Sequence, residues 1–260
     1  MSWLRPLGDT GLEVSALGLG TVKLGRTEGL RHLEPFSLPD EKSAARLLDR
    51  ARELGVNLLD TAPAYGTSEE RLGRLLRDRR GDWILCTKVG EEFEDGRSRF
   101  DFSAAHTRRS VERSLRRLAT DVLDIVLVHS DGDDLARLEG GALATLRDMQ
   151  GEGLVRAVGV STKTRSGGLA TAAACDVVMP TYSLASREEE PVLDACAAGT
   201  CAALVKKALS SGHLGEDPAG FLHDSLGLAL GHPGTTAVVV GTLSPAHLEQ
   251  NVAIARGIVG

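Results

Sequence analysis

Short apolar runs recur along this chain, each followed by a longer stretch whose apolar residues fall three and four apart. Residues 56–60 (VNLLD), 83–88 (WILCTK), 124–129 (DIVLVH) and 155–161 (VRAVGVS) are runs of strand length. The stretches between them, 68–78, 103–119 and 140–153, carry helical spacing. Before the first of these runs lie a buried strand over 16–21 and a helix ending at Gly55, with apolar positions Ala45, Leu47, Leu48, Ala51 and Leu54. Beyond 161 the alternation continues with a helix from about Gly168 to Ala174, strand 175–183, helix 188–199, strand 201–207, helix 220–231, strand 235–242 and a last helix starting near Ser244.

Apolar strands without strict alternation suit parallel strands covered on both faces, and eight strand–helix units close naturally into a barrel. The predicted fold is α/β, a (β/α)8 TIM barrel formed by residues 1–260 as one domain. The GDTG turn at 8–11 lies between short apolar stretches and predicts a short N-terminal β-hairpin, placed to plug one end. A doubly wound open sheet is the competing fold. Its dinucleotide fingerprint needs a third glycine and an immediate helix after the first strand, and LGLGTVKLG supplies neither.

Composition narrows the function classes. The net charge is −6 with arginines interleaved among acids. The most basic stretch, 108–117, winds around an apolar stripe of Val111, Leu115 and Leu118, as a solvated helix face would, so nucleic acid is not an expected partner. Cys86, Cys175, Cys196 and Cys201 show neither CxxC nor zinc spacing and are expected to be reduced and structural. No leader-like segment or membrane-length apolar run is present, and a soluble cytoplasmic protein is expected.

The polar residues that end the apolar runs suggest chemistry. Asp60, Lys88 and His129 close successive strands, and Tyr65 follows Asp60 by five residues. In a barrel these positions share the C-terminal rim, where active sites form. A phenol in water titrates near 10 and needs tuning to move a proton at neutral pH. An ammonium about 4 Å away, at an effective dielectric near 20, favours the phenolate by roughly 4 kcal/mol before desolvation is subtracted. Lys88 is the expected tuner, Asp60 the anion that keeps it charged, and His129 the group that holds a carbonyl oxygen in line. Such a set gives a proton to a carbonyl oxygen or takes one from an alcohol. None of the four supplies a hydride, so a redox cofactor is needed. Ser244, as N-cap of the last helix after a Gly-Thr turn, marks a place where a barrel commonly holds phosphate.

These residues resemble the aldo-keto reductase family over nearly the whole chain, from GLEVSALGLGT (11–21) to AHLEQNVA (246–253). LLDTAPAYGTSEERLG (58–73) is similar to its Asp-Tyr signature, CTKV (86–89) to its lysine strand and LVHS (127–130) to its histidine strand. GVST (159–162) and VVVGTLSPAHLEQN (238–251) are similar to its cofactor segments. The resemblance implies a (β/α)8 barrel and reduction of a small-molecule aldehyde or ketone by NADPH, with NADH possible. It implies Tyr65 as general acid, Lys88 and Asp60 as its tuners, and His129 as the substrate-orienting group. Ser161 would face the nicotinamide carboxamide. Gly20, Thr21, Thr162, Met179 and Lys206 would lie along the cofactor, and Gly241, Thr242, Ser244, His247, Gln250 and Asn251 along its adenosine phosphate part.

The pattern departs in four places: Thr162 stands where an asparagine is frequent, Met179 where a glutamine is usual, Lys206 where an aromatic ring often stacks, and His247 where an arginine often grips the 2′-phosphate. Lys206 would disfavour an oxidised, cationic nicotinamide, and His247 leaves the choice between NADPH and NADH open. The chain stops soon after the last helix, so substrate selection is expected to fall to residues 23–39 and 91–102. The acids of 130–141 lack a terminal bidentate glutamate and predict a helix-starting loop rather than a calcium site. His213, His223 and His232 lack metal spacing. Two other functions remain open from the sequence: a cofactor-binding sensor or partner subunit with little turnover, and a redox-neutral isomerase or lyase.

Overall fold

The computed structural model describes residues 2–30, 36–210 and 217–260. His213 and the 31–35 part of the expected substrate loop lie outside the described residues.

Eight parallel strands close into a barrel: β3 (Leu17–Gly20), β4 (Leu58–Asp60), β5 (Ile84–Val89), β8 (Leu123–His129), β9 (Val155–Ser161), β10 (Val177–Val178), β11 (Ala202–Val205) and β12 (Thr235–Val240). Neighbours in the chain are neighbours in the barrel, and β12 pairs with β3, Val238 opposite Leu17. Strand β10 is much shorter than the predicted 175–183 run, because Pro180 has no N–H to continue the ladder.

Helices cover the outside of the barrel. Helix α2 (Glu41–Glu53) is capped by Asp40, whose carboxylate accepts from the Ser43 N–H, and buries Ala44, Leu47, Leu48 and Ala51 against the strands. Ala45 lies nearer the flank. Burial of each leucine contributes roughly 1.5–3 kcal/mol. The other coverings are α3 (Ser68–Leu75), α4 (Ala104–Leu118), α6 (Gly141–Gly151), α7 (Arg165–Ala174), α8 (Glu190–Ala198), α9 (Pro218–Gly231) and α10 (Pro245–Val259). Val111 and Leu118 of α4 face inward, with its arginines around them. The acid-rich loop starts a short helix, α5 (Asp134–Glu139). There Asp134 is buried and its Oδ2 accepts from the Lys163 and Thr164 N–H groups. Among the described residues, no helix is long and apolar enough to cross a membrane.

The N-terminal hairpin, β1 (Leu4–Pro6) and β2 (Glu13–Ser15), does plug one end. Its Leu7, Leu12 and Val14 pack with the barrel-filling residues Leu58, Ile125, Ala202 and Ala237 in a cluster separate from the strand–helix core. Arg5 donates to the Thr235 carbonyl at 2.7 Å and ties the plug to β12.

Candidate active site

Side chains alternate along a strand, so every second residue points into the barrel. Leu58 in β4, Cys86 in β5 and Ile125 and Leu127 in β8 fill the interior. Asp60, Lys88 and His129 continue those inward positions one step toward the C-terminal mouth. By the same count Ser161 follows Ala157 and Gly159, Met179 follows Val177, Lys206 follows Ala202 and Leu204, and Gly241 follows Ala237 and Val239. These residues line a cavity of about 850 Å³, together with Tyr65. A two-residue period thus converts an apolar interior into a polar rim.

The Lys88 ammonium donates to Asp60 Oδ1 at 2.5 Å and to the Thr61 carbonyl at 2.9 Å. Both side chains are nearly sealed from solvent, 2% and 7% exposed. Burial works to strip the lysine of its charge, but Asp60 and then Tyr65 outweigh it and hold Lys88 above the ordinary lysine range.

Tyr65 ends a 3-10 turn, Pro63–Tyr65, directly after β4. Lys88 Nζ lies 5.0 Å from its ring centroid, and the His129 ring meets it edge to face at 6.4 Å between centroids. The expected acidification does not prevail. Burial pushes the Tyr65 phenol up to about 12, Lys88 pulls the other way without matching it, and Asp60 adds to the rise. Desolvation outweighs the attraction of the neighbouring ammonium, so the phenol is a weaker acid than a tyrosine in water.

His129 is drawn below the ordinary histidine value by burial, with Lys88 and Lys206 adding to the fall and Glu91 opposing it. Glu91 was missed in the sequence. It opens a hairpin inserted after β5, β6 (Glu91–Glu94) and β7 (Arg97–Phe100), turned by Asp95 and Gly96, both at positive φ. The Asp-Gly pair in EEFEDGRSRF is the signal that could have found it. This hairpin is the expected substrate loop 91–102, yet it does not line the cavity, because it folds back behind His129. Lys23, Gly29 and Leu30, next to this hairpin, do line it, as do Asp217, Pro218, Ala219 and Leu222 around the start of α9, two residues ahead of the expected helix start. Arg71, buried in α3, donates to the carbonyls of Leu24 and Pro39 and so anchors both ends of the 24–39 loop.

Of the expected cofactor residues, Gly20, Ser161, Met179, Lys206, Gly241, Thr242, His247, Gln250 and Asn251 line the cavity. Three do not, each for a reason of hydrogen bonding. The Thr21 hydroxyl is buried and donates to the Asp60 carbonyl at 2.9 Å. The Thr162 hydroxyl donates to Glu189 Oε1 at 2.8 Å, away from the cavity. Ser244 serves as the α10 N-cap, its Oγ accepting from the His247 N–H. Lys206 Nζ donates to Ser161 Oγ at 3.0 Å and to the carbonyls of Met179 and Thr162. Burial pushes Lys206 down to about 7, against the pull of Glu189. Met179 therefore contributes a main-chain acceptor where its side chain has nothing to donate.

PA4992 of Pseudomonas aeruginosa, assigned as an aldo-keto reductase, has a solved structure 52% identical to this chain at a TM-score of 0.90, covering 99% of this chain and 96% of that one. The holo form of aldo-keto reductase AKR11C1 from Bacillus halodurans is 28% identical at a TM-score of 0.81, covering 98% and 91%. L-Galactose dehydrogenase of Arabidopsis thaliana is 37% identical over 164 residues, 61% of this chain and 48% of that enzyme. The chain spans about half the length of this and similarly matched curated relatives. A model described as "Aldo/keto reductase family" matches residues 16–218, which hold all four rim residues Asp60, Tyr65, Lys88 and His129. On fold, strand-end residues and sequence match together, the chain belongs to the aldo/keto reductase family.

Proposed function

We propose that this protein reduces an aldehyde or ketone to an alcohol at the barrel mouth, with NADPH, or NADH in its place, as reductant. The observation that carries this reading is the sealed Lys88–Asp60 pair at 2.5 Å beneath the Tyr65 ring. It is a fixed charge next to a phenol on a cavity wall. The relatives named as dehydrogenases and reductases support it.

The chemistry of the cavity suits a nicotinamide dinucleotide. The wall from Gly241 to Asn251 combines a glycine turn, the N-terminus of α10, an imidazole and two side-chain amides, all apt for phosphate and ribose oxygens. Ser161 and Lys206 supply polar groups at the opposite wall. When bound, the nicotinamide supplies the hydride.

The chain's own residues handle the proton. Tyr65 keeps its phenolic hydrogen at neutral pH because burial has raised its pKa. It can still give that hydrogen to an alkoxide, which is a stronger base. His129 stands edge to face beside the phenol, on the same cavity wall, where a ring nitrogen would reach the same oxygen. Lys88, held charged by Asp60, stabilises the negative charge left on Tyr65 as the proton leaves.

The test is Tyr65→Phe. Wild-type protein should oxidise NADPH or NADH in the presence of one or more simple carbonyl compounds. The variant should lose about 10²-fold or more in rate while binding cofactor with unchanged fluorescence response. Full activity in Tyr65→Phe refutes the assignment of the acid. Tight cofactor binding without hydride transfer to any carbonyl would instead favour a sensor.

A further inference from the structure

Strand β5 ends at Val89, and Gly90, with φ +99, turns the chain out of the barrel wall into the β6–β7 hairpin. A side chain at 90 would collide with Phe102, so the reversal is possible only with glycine there. The next residue, Glu91, consequently arrives behind the His129 ring. Its two carboxylate oxygens have separate partners. Ser98 Oγ, across the hairpin, donates to Oε1 at 2.5 Å, and His129 Nδ1 lies 2.7 Å from Oε2. The latter contact is close without the geometry of a straight hydrogen bond, and it becomes an ion pair when the imidazole is protonated. Both side chains are largely buried, Glu91 13% and His129 19% exposed.

Two residues further along the same face of β6, Phe93 carries the Arg26 guanidinium on its ring, 3.2 Å from the centroid. Arg26 adds a second positive charge facing Glu91. The carboxylate is thus oriented by Ser98 and kept ionised by His129 and Arg26 against burial, down to about 2.

We propose that Glu91 is a positioning residue for the reaction: it holds the proton of His129 on Nδ1 and stabilises the doubly protonated ring, leaving Nε2 to donate to the substrate oxygen. The inference rests on the carbonyl-reductase reading for its catalytic consequence, but not for its effect on the imidazole. A neutral ring with its proton on Nδ1 offers Nε2 only as an acceptor, whereas a carbonyl oxygen needs a donor. A nearby carboxylate raises the fraction of imidazolium that can serve. Around His129 the groups that matter are Glu91 from β6, Lys88 from β5, Lys206 at the end of β11 and the Tyr65 ring. Both lysines oppose protonation, and Glu91 is the carboxylate in direct contact. Glu92 points to the opposite face of the hairpin, toward Arg113 and His106, and gives an internal control.

The test uses the full chain labelled with 15N, with the His129 imidazole signals assigned by their loss in His129→Gln. In wild type at pH 7 the Nδ1 of His129 should carry a proton. In Glu91→Gln the titration midpoint of His129 should fall by about one pH unit, and the matching inflection in kcat/KM should move down with it. Glu92→Gln should leave both unchanged. A wild-type ring that is neutral with Nδ1 bare overturns the proposal without any variant, as does an unmoved midpoint in Glu91→Gln. Failure of the carbonyl-reductase reading would show separately, as no oxidation of NADPH or NADH with any carbonyl compound, and would leave the imidazole titration intact.

Discussion

Gly25 and Gly66 meet backbone to backbone, and this contact sets the position of Tyr65. A Cβ on Gly25 would stand 2.3 Å from the Tyr65 carbonyl oxygen and 2.2 Å from the Ser68 nitrogen, and one on Gly66 would stand 2.2 Å from the Gly25 oxygen. Gly66 also has φ +62. The Thr67 N–H donates to the Gly25 carbonyl at 3.2 Å, sealing the approach.

Gly25→Ala should therefore push the tyrosine turn away from Lys88. Displacement of a catalytic group by about 1 Å can cost on the order of 10²-fold in rate, and a loss of that order in kcat/KM is the expected outcome. Steady-state kinetics beside a thermal melt decide it: unchanged kcat/KM in a folded variant would show that the turn is held by something else.

The Asp60–Lys88 pair makes a prediction about stability. Removing one member of a buried ion pair leaves the other charge without compensation and typically costs about 3–5 kcal/mol. Lys88→Met should lower the urea midpoint accordingly and abolish reduction. Adding Asp60→Leu should restore much of the stability and none of the activity. If the double variant is no more stable than Lys88→Met, the penalty does not come from the stranded carboxylate.

Tyrosine titration is unusually readable here because the chain has only two tyrosines, Tyr65 and Tyr182. Burial raises both, Tyr65 to about 12. Tyr65 phenolate, read as the absorbance difference between wild type and Tyr65→Phe, should be nearly absent at pH 10 in the folded protein and should appear on unfolding. The stability consequence has a definite sign. Above the unfolded value near 10, the unfolded state has released protons that the folded state retains. Folding free energy is accordingly lost as pH rises from about 10 to about 12, and the contribution is fully present below that window. A Tyr65→Phe variant should lose less stability across the same interval. Phenolate absorbance near pH 9 that disappears in Tyr65→Phe would refute the raised value.

The barrel and its rim were legible because a single rule writes both. Apolar strands end where the interior ends, so Asp60, Lys88 and His129 announce themselves as polar residues closing apolar runs. What escaped depends on three-dimensional context. The sign of the Tyr65 shift follows from how much water the fold removes, which spacing does not reveal. Thr162 looked available for a cofactor, but Glu189, 27 residues later, takes its hydroxyl. Glu91 sits among the alternating acids of a surface-like hairpin, and only the turn at Gly90 shows which of them faces inward. Likewise Lys206 looked like a free charge, and the fold surrounds it with three oxygen acceptors.

The hairpin stopper formed by Leu7, Leu12 and Val14 has a kinetic implication. With the floor closed, ligands reach the described cavity from the C-terminal mouth of the barrel and not through the plugged end. Traffic in and out is thereby directed to the end of the barrel where Asp60, Lys88 and His129 stand.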